Sequence, residues 1–132
     1  MDIEAMKDAA RRLLQASAVH DGEAFAALLH DDATYWTIGQ PDLFGYAGTR
    51  GKAEIVAYMS SPSIFVGGAQ VRFGAITAEA NRVAIESETR GTLPDLRVYT
   101  NVYHYLMEFR DGLIVSVKEY MDTQAAAEFF KI

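Results

Sequence analysis

The sequence contains no cysteine. That removes disulfides, thiolate nucleophiles and cysteine-held metals, and it fits a reducing compartment. Basic residues are in the minority, 12 Lys and Arg against 18 Asp and Glu, for a formal net charge of -6. The basic footprint that nucleic acid or an anionic membrane requires is therefore missing, and neither partner is predicted. Nowhere do about eighteen apolar residues run together, and the opening MDIEAMKDAARR is charged and amphipathic rather than a signal sequence. A soluble cytoplasmic protein is the expectation. No internal repeat, linker or low-complexity stretch is present, so residues 1–132 are expected to form one domain. Half of the residues are apolar, enough for a sizeable core.

What is present begins with helical spacing. Ile3, Met6, Ala10, Leu13, Leu14 and Ser17 recur on one face, with Asp2 as cap and Glu4 in the first turn, predicting a helix that ends near His20-Asp21-Gly22. A shorter helix over Glu23 to Leu29 is expected to bury Phe25, Leu28 and Leu29 and to be broken by His30-Asp31-Asp32. The aromatic and β-branched run Ala33 to Gly39 reads as a strand whose Tyr35 and Trp36 face opposite ways. Gln40 to Gly51 reads as a loop long enough to cover a cavity, and Lys52 to Ser60 as a third helix stopped by Ser61-Pro62. From Gln70 the period becomes two: Val71 to Thr77, Arg82 to Thr92, Arg97 to Phe109 and Leu113 to Met121, the last two joined by Arg110-Asp111-Gly112 as a hairpin. A short helix, Ala125 to Phe130, closes the chain. Helices segregated ahead of consecutive strands predict an α+β fold.

Several chemistries lack their residues. GYAGTRGK has the wrong glycine spacing for a phosphate loop, and Ala53 stands where Ser or Thr should follow Lys52. His20, His30 and His104 never approach metal-ligand spacing, so no metal is expected; His20 and His30 fall at predicted helix ends, where an imidazolium suits the dipole. No serine occupies a G-x-S-x-G elbow.

Carboxylate and phenol remain. On the last strand Leu113, Val115, Val117, Glu119 and Met121 are expected to share a face, with Glu119 the single charge among apolar neighbours. Burial there raises a carboxyl pKa toward neutrality and suits it to proton transfer; the alternative is a structural carboxylate paired with Lys118, Arg97 or a backbone donor. Tyr99, Asn101, Tyr103 and Tyr105 share one face of the preceding strand, either as core filling or as a pocket wall that orients a polar group of an apolar ligand. Val102, His104 and Leu106 occupy the opposite face, which predicts a further layer there, a second subunit included. Glu86, Glu88 and Arg90 are expected to point away from the core side marked by Val83 and Ile85.

The element order, with DDATYWTIG at the first strand, RGKAEI at the third helix, N-x-Y at Asn101 to Tyr103, F-x-D-G-x-I at the turn and E-Y-x-D at Glu119 to Asp122, resembles the NTF2-like superfamily. Within it the chain most resembles the SnoaL-like, ketosteroid-isomerase-related proteins. The resemblance implies a curved antiparallel sheet wrapped around three N-terminal helices into a cone, an apolar pocket inside, and a homodimer across the sheet. It places the isomerases' general-base aspartate at Thr37, their oxyanion-hole tyrosine at Leu13 and their oxyanion-hole acid at Tyr105, so steroid isomerisation is not implied. The acid/base aspartate of SnoaL-type polyketide cyclases falls on Glu119, where a carboxylate is kept.

The expectation is thus general acid/base isomerisation or cyclisation of a compact apolar carbonyl or polyketide-like substrate, without metal or organic cofactor. Glu119, Tyr103 and Tyr105 are the catalytic candidates; Asn101, Tyr35, Thr37, Tyr99, Val117 and Met121 are the substrate-binding ones. A non-catalytic binder of a small hydrophobic ligand, and a scaffold domain with a filled cone, are the alternatives.

Overall fold

A computed structural model describes residues 1–131. Helix α1 (Ile3–Val19) begins at Asp2, whose Oδ1 accepts from the Ala5 N–H at 2.7 Å, and ends at His20 in the left-handed conformation. Helix α2 (Gly22–Ala27) is capped in the same way by Asp21 and buries Phe25. It stops sooner than its apolar spacing suggests, because Leu29 and the His30-Asp31-Asp32 segment already belong to strand β1 (Leu29–Thr37). The expected helix break is the start of that strand, and His30 lies in it rather than at a helix end. Lys52 explains part of this: its ammonium donates to the Leu29 carbonyl at 3.1 Å and approaches Asp31 at 3.3 Å, holding the segment extended.

The loop after β1 contains a short strand, β2 (Gly48–Gly51), that pairs antiparallel with β1 and leads into α3 (Lys52–Met59). Strands β3 (Gln70–Glu79), β4 (Arg82–Thr92), β5 (Val98–Arg110) and β6 (Leu113–Met121) form the meander, and α4 (Thr123–Phe130) follows. The six strands make one sheet in the order β2-β1-β6-β5-β4-β3. All pairs are antiparallel except β1 with β6, which run parallel.

Inward alternation on β4 and β5 follows the sequence: Val83, Ile85, Ser87, Tyr99, Asn101, Tyr105, Met107 and Phe109 are buried, while Glu86 and Glu88 are outside. The hairpin departs from strict alternation. Phe109 pairs with Ile114 but Glu108 pairs with Ser116, so Val115 is an extra residue on β6. Such a bulge reverses the inward phase. Ile114 therefore enters the core in place of Leu113 or Val115, and the expected face of Glu119 holds only from Val117 onward. The outer face of β5 is bare in a single chain, with Val102 58% exposed.

The main core lies between α1 to α3 and the concave side of the sheet, built on Leu13, Phe25, Ile85, Met107, Ile114 and Val117. One close approach depends on glycine. A Cβ at Gly22 would lie 2.8 Å from the Ser60 Cα, in the contact between the start of α2 and the end of α3. Gly22→Ala should therefore lower unfolding free energy by about 1–3 kcal/mol, as overpacking does, read as an earlier midpoint in urea with unchanged slope.

Candidate functional site

The strand pairings arrange the inward side chains in two rows. Thr37 on β1, Glu119 on β6, Tyr105 on β5 and Ile85 on β4 are successive cross-strand partners. One step along the sheet, Met121, Tyr103, Ser87 and Phe73 form the next row. Residues two apart on a strand face the same side, so both rows look into the concavity. There Thr37, Glu119, Tyr105, Met121, Tyr103 and Ser87 border a cavity of about 460 Å³.

Glu119 is mostly buried, and three hydroxyls converge on it. Tyr35 donates to Oε2 at 2.9 Å, Tyr105 donates to the same oxygen at 3.1 Å, and Thr37 donates to Oε1 at 3.0 Å. No lysine takes part. Burial raises the Glu119 pKa above the ordinary carboxylate range; the bonds from Tyr35, Thr37 and Tyr105 pull it partly back, as does the positive charge of Arg50, and the net shift is upward. Burial also raises Tyr35 and Tyr105, and the nearby Glu119 adds to it, so both phenols stay protonated as donors. Oε2 has both lone pairs engaged, whereas Oε1 keeps one beyond the Thr37 bond.

A second network runs along β5. The Asn101 Oδ1 accepts from the Val102 N–H at 2.8 Å, which fixes the amide, and its Nδ2 donates to the Asp122 carbonyl at 3.0 Å and to Tyr99 Oη at 2.7 Å. Tyr99 and Tyr103 hydroxyls are 2.7 Å apart. Either hydroxyl can donate to the other; Tyr99 also accepts from Asn101 and is packed among Phe65, Phe129 and Phe130. Whichever way that bond runs, one hydroxyl proton of the pair has no acceptor among the described residues, and both tyrosines line the cavity. Burial, with Tyr99 beside it, holds Tyr103 protonated too.

Of the residues singled out by sequence, Glu119, Tyr103, Tyr105, Tyr35, Thr37, Tyr99 and Met121 meet at the cavity. Val117 and Asn101 do not. Val117 is a core residue, 1% exposed, and Asn101 stands behind the tyrosines as their anchor. Trp36 lies on the outer side of β1 against Tyr120. His20 donates from Nδ1 to the Ser61 carbonyl at 2.9 Å and borders the cavity, a role its place at a helix end did not reveal. Arg50, Tyr46, Tyr58, Phe44, Phe65 and Ser87 were also missed. Ser87 alone carried a signal, its alternation with Val83 and Ile85; Arg50 comes from the short strand β2, and the others from loops and a helix whose approach to the sheet is a tertiary matter. Among the described residues no three His, Asp or Glu side chains are grouped as metal ligands would be, and no helix is long and apolar enough to cross a membrane.

A family model described as a SnoaL-like domain matches residues 10–117. The chain belongs to the SnoaL-like family. Solved structures agree on the fold. An NTF2-like protein of unknown function from Burkholderia pseudomallei superposes with TM-score 0.81 over 100% of both chains at 17% identity. The pinacolase BvnE from Penicillium brevicompactum gives TM-score 0.80 at 13% identity, covering 97% of this chain and 93% of that one. An LEH-like epoxide hydrolase from M. tuberculosis gives 0.75 at 19% identity over 98% of each. No curated protein matches the sequence. For this SnoaL-like chain the comparisons establish the α+β NTF2-like architecture, and at these identities they carry nothing finer.

Proposed function

We propose that this SnoaL-like protein moves a proton on a compact, largely apolar carbonyl or polyketide-like substrate, as an isomerase or cyclase. The supporting observation is the position of Glu119: a carboxylate of raised pKa at a cavity wall, held at both oxygens by three fixed donors. A carboxylate whose pKa is raised by burial is a stronger base for proton abstraction beside a carbonyl than an exposed one. The free lone pair of Oε1 takes the proton. Thr37, Tyr35 and Tyr105 position the carboxylate and solvate its charge. Tyr105 is thereby committed to the base, and Tyr103, on the cavity wall, is the β5 tyrosine placed to polarise the substrate oxygen. Tyr99 and Met121 contribute apolar wall, and Asn101 acts through Tyr99. The chemistry requires neither metal nor organic cofactor.

The same reading takes residues 1–132 as one domain, working in the cytoplasm as a homodimer with no nucleic-acid or membrane partner. The bare outer face of β5 around Val102 and the acidic balance support it.

A second reading, a non-catalytic binder of a small hydrophobic ligand, is favoured by the fact that every phenol touching Glu119 is already used internally. Deuterium incorporation separates the two. In heavy water the protein is expected to accelerate exchange at the carbon next to the carbonyl of small cyclic ketones, followed by proton NMR; binding of those ketones with exchange at the buffer rate would establish the binder instead.

A further inference from the structure

We infer that Arg50 is a carboxylate-binding point at the mouth of the cavity, and that the substrate is an apolar carbonyl compound carrying an acid group at the end away from Glu119. The inference rests on the proposed proton transfer at Glu119 and adds the substrate's second functional group. Among the described residues bordering the cavity, Arg50 is the one Lys or Arg, in a chain of net charge -6. The wall beside it is largely aromatic, with Phe44, Tyr46, Tyr58 and Phe65. An apolar ligand alone would give a guanidinium at such a wall nothing to bind.

Strand pairing sets its direction. Arg50 on β2 lies opposite Tyr35 on β1, and directly opposed residues send their side chains to the same face of a sheet. Tyr35 points into the concavity, where its hydroxyl donates to Glu119. Arg50 therefore leaves the sheet beside the site, with its side chain 22% exposed. Burial holds the pKa values of Glu119 and Tyr58 up, and the positive charge of Arg50 pulls each partly back, so it acts on groups from both the sheet and α3. Tyr46 and Tyr58 are 37% and 49% exposed, which marks this end of the cavity as the open one.

Two protein groups anchor the guanidinium. Nη1 donates to the Tyr46 carbonyl at 2.8 Å, and Nε lies 3.3 Å from Glu54 Oε2. Both N–H groups of Nη2 have no acceptor among the described residues, and the second N–H of Nη1 is free beside them. Parallel N–H groups on a planar fork match the two oxygens of a carboxylate. Glu54 competes weakly for that fork: it is 69% exposed, and an exposed pair contributes little. An acid on the ligand can take its place while Glu54 returns to water. Charge then fixes the ligand's orientation. A second carboxylate next to Glu119 would be repelled, so the acid end stays at Arg50 and the neutral carbonyl end goes inward to the base.

The test compares β-naphthoate with β-naphthamide, equal in size and different in charge, by calorimetry. The wild-type protein is expected to bind the naphthoate more tightly, with a preference that shrinks between about 50 and 500 mM NaCl. Arg50→Gln should weaken naphthoate binding by roughly tenfold to a hundredfold, as loss of charge-assisted hydrogen bonds does, and leave naphthamide binding unchanged. Arg50→Lys keeps the charge without the fork and should retain part of the preference. Glu54→Gln removes the competing carboxylate and should tighten naphthoate about twofold, which an arginine with a purely structural role would not show. No wild-type preference for naphthoate, or one that survives Arg50→Gln, overturns the subsite; no tightening in Glu54→Gln overturns the displacement of Glu54. If Arg50→Gln binds neither probe, salt decides, and a wild-type preference that salt does not reduce overturns the subsite. The two readings fail separately. Deuterium exchange on neutral cyclic ketones with no preference for the acid would defeat the subsite alone, and Arg50-dependent naphthoate binding by a protein that never exchanges deuterium would defeat the proton transfer alone.

Discussion

Glu119→Gln is expected to slow deuterium exchange into a bound cyclic ketone by about 10²–10⁴-fold, the usual contribution of a positioned base, with little change in ketone affinity. The amide is nearly isosteric. Its oxygen can take the Tyr35 and Tyr105 protons, and its nitrogen can donate to Thr37, so the surroundings stay satisfied while the basic lone pair is gone. The same variant has a pH signature. Burial raises the Glu119 pKa, so the folded protein holds this proton more tightly than the unfolded chain does. Its contribution to stability is therefore present below the unfolded pKa and lost as pH rises through the folded one. Above its folded pKa the wild type bears a buried charge that Gln lacks, so Glu119→Gln should melt higher than wild type there, and the gap should close as pH falls through that pKa. Thermal unfolding across a pH series measures this. Exchange within about twofold of wild type would remove Glu119 from the mechanism.

Phe25→Ala is expected to cost about 3–5 kcal/mol of unfolding free energy, the largest effect of a single truncation in this core. Phe25 is fully buried, and its ring centroid lies 6.4 Å from that of Tyr35. Tyr35 in turn donates to Glu119. The cavity left by the ring frees Tyr35 to tilt, so the truncation should slow exchange as well as destabilise, whereas Phe25→Leu should restore most of both. Chemical denaturation alongside the exchange assay checks it. A Phe25→Ala protein with full exchange per folded molecule would show that Tyr35 is not held from behind by this packing.

Both results test how a local pattern becomes a site, and the two networks differ in how visible that is from the chain. Alternation on β5 places Tyr99, Tyr103 and Tyr105 on one face without any knowledge of neighbours, because the side-chain period of a strand is two. It does not say which of them is free to act. That depended on Glu119 engaging Tyr105, and on the hydrogen bonds that tie Asn101 to Tyr99 and Tyr99 to Tyr103. Val117 shows the reverse error: it shares the face of Glu119, yet it lies deeper and packs into the core. Phase on β6 was legible only after Val115, since a bulge is set by the pairing partner and leaves no mark in hydrophobic spacing. The start of β1 at Leu29 was hidden for a similar reason, polar residues being held extended by Lys52 from another element.

The chain alone determined the α+β class, the order of its principal helices and strands, the hairpin at Asp111-Gly112 and the inward face bearing Glu119. Each follows from periodicity, capping or turn chemistry that acts over a few residues. Only the tertiary structure decided what surrounds that carboxylate: Tyr35 and Thr37 reach it through a parallel pairing across more than eighty positions of sequence. It also decided that Ser87, on the cavity wall, has no hydrogen-bond partner among the described residues. Hydrogen-bond partners and burial are properties of packed surfaces, and no local pattern encodes them.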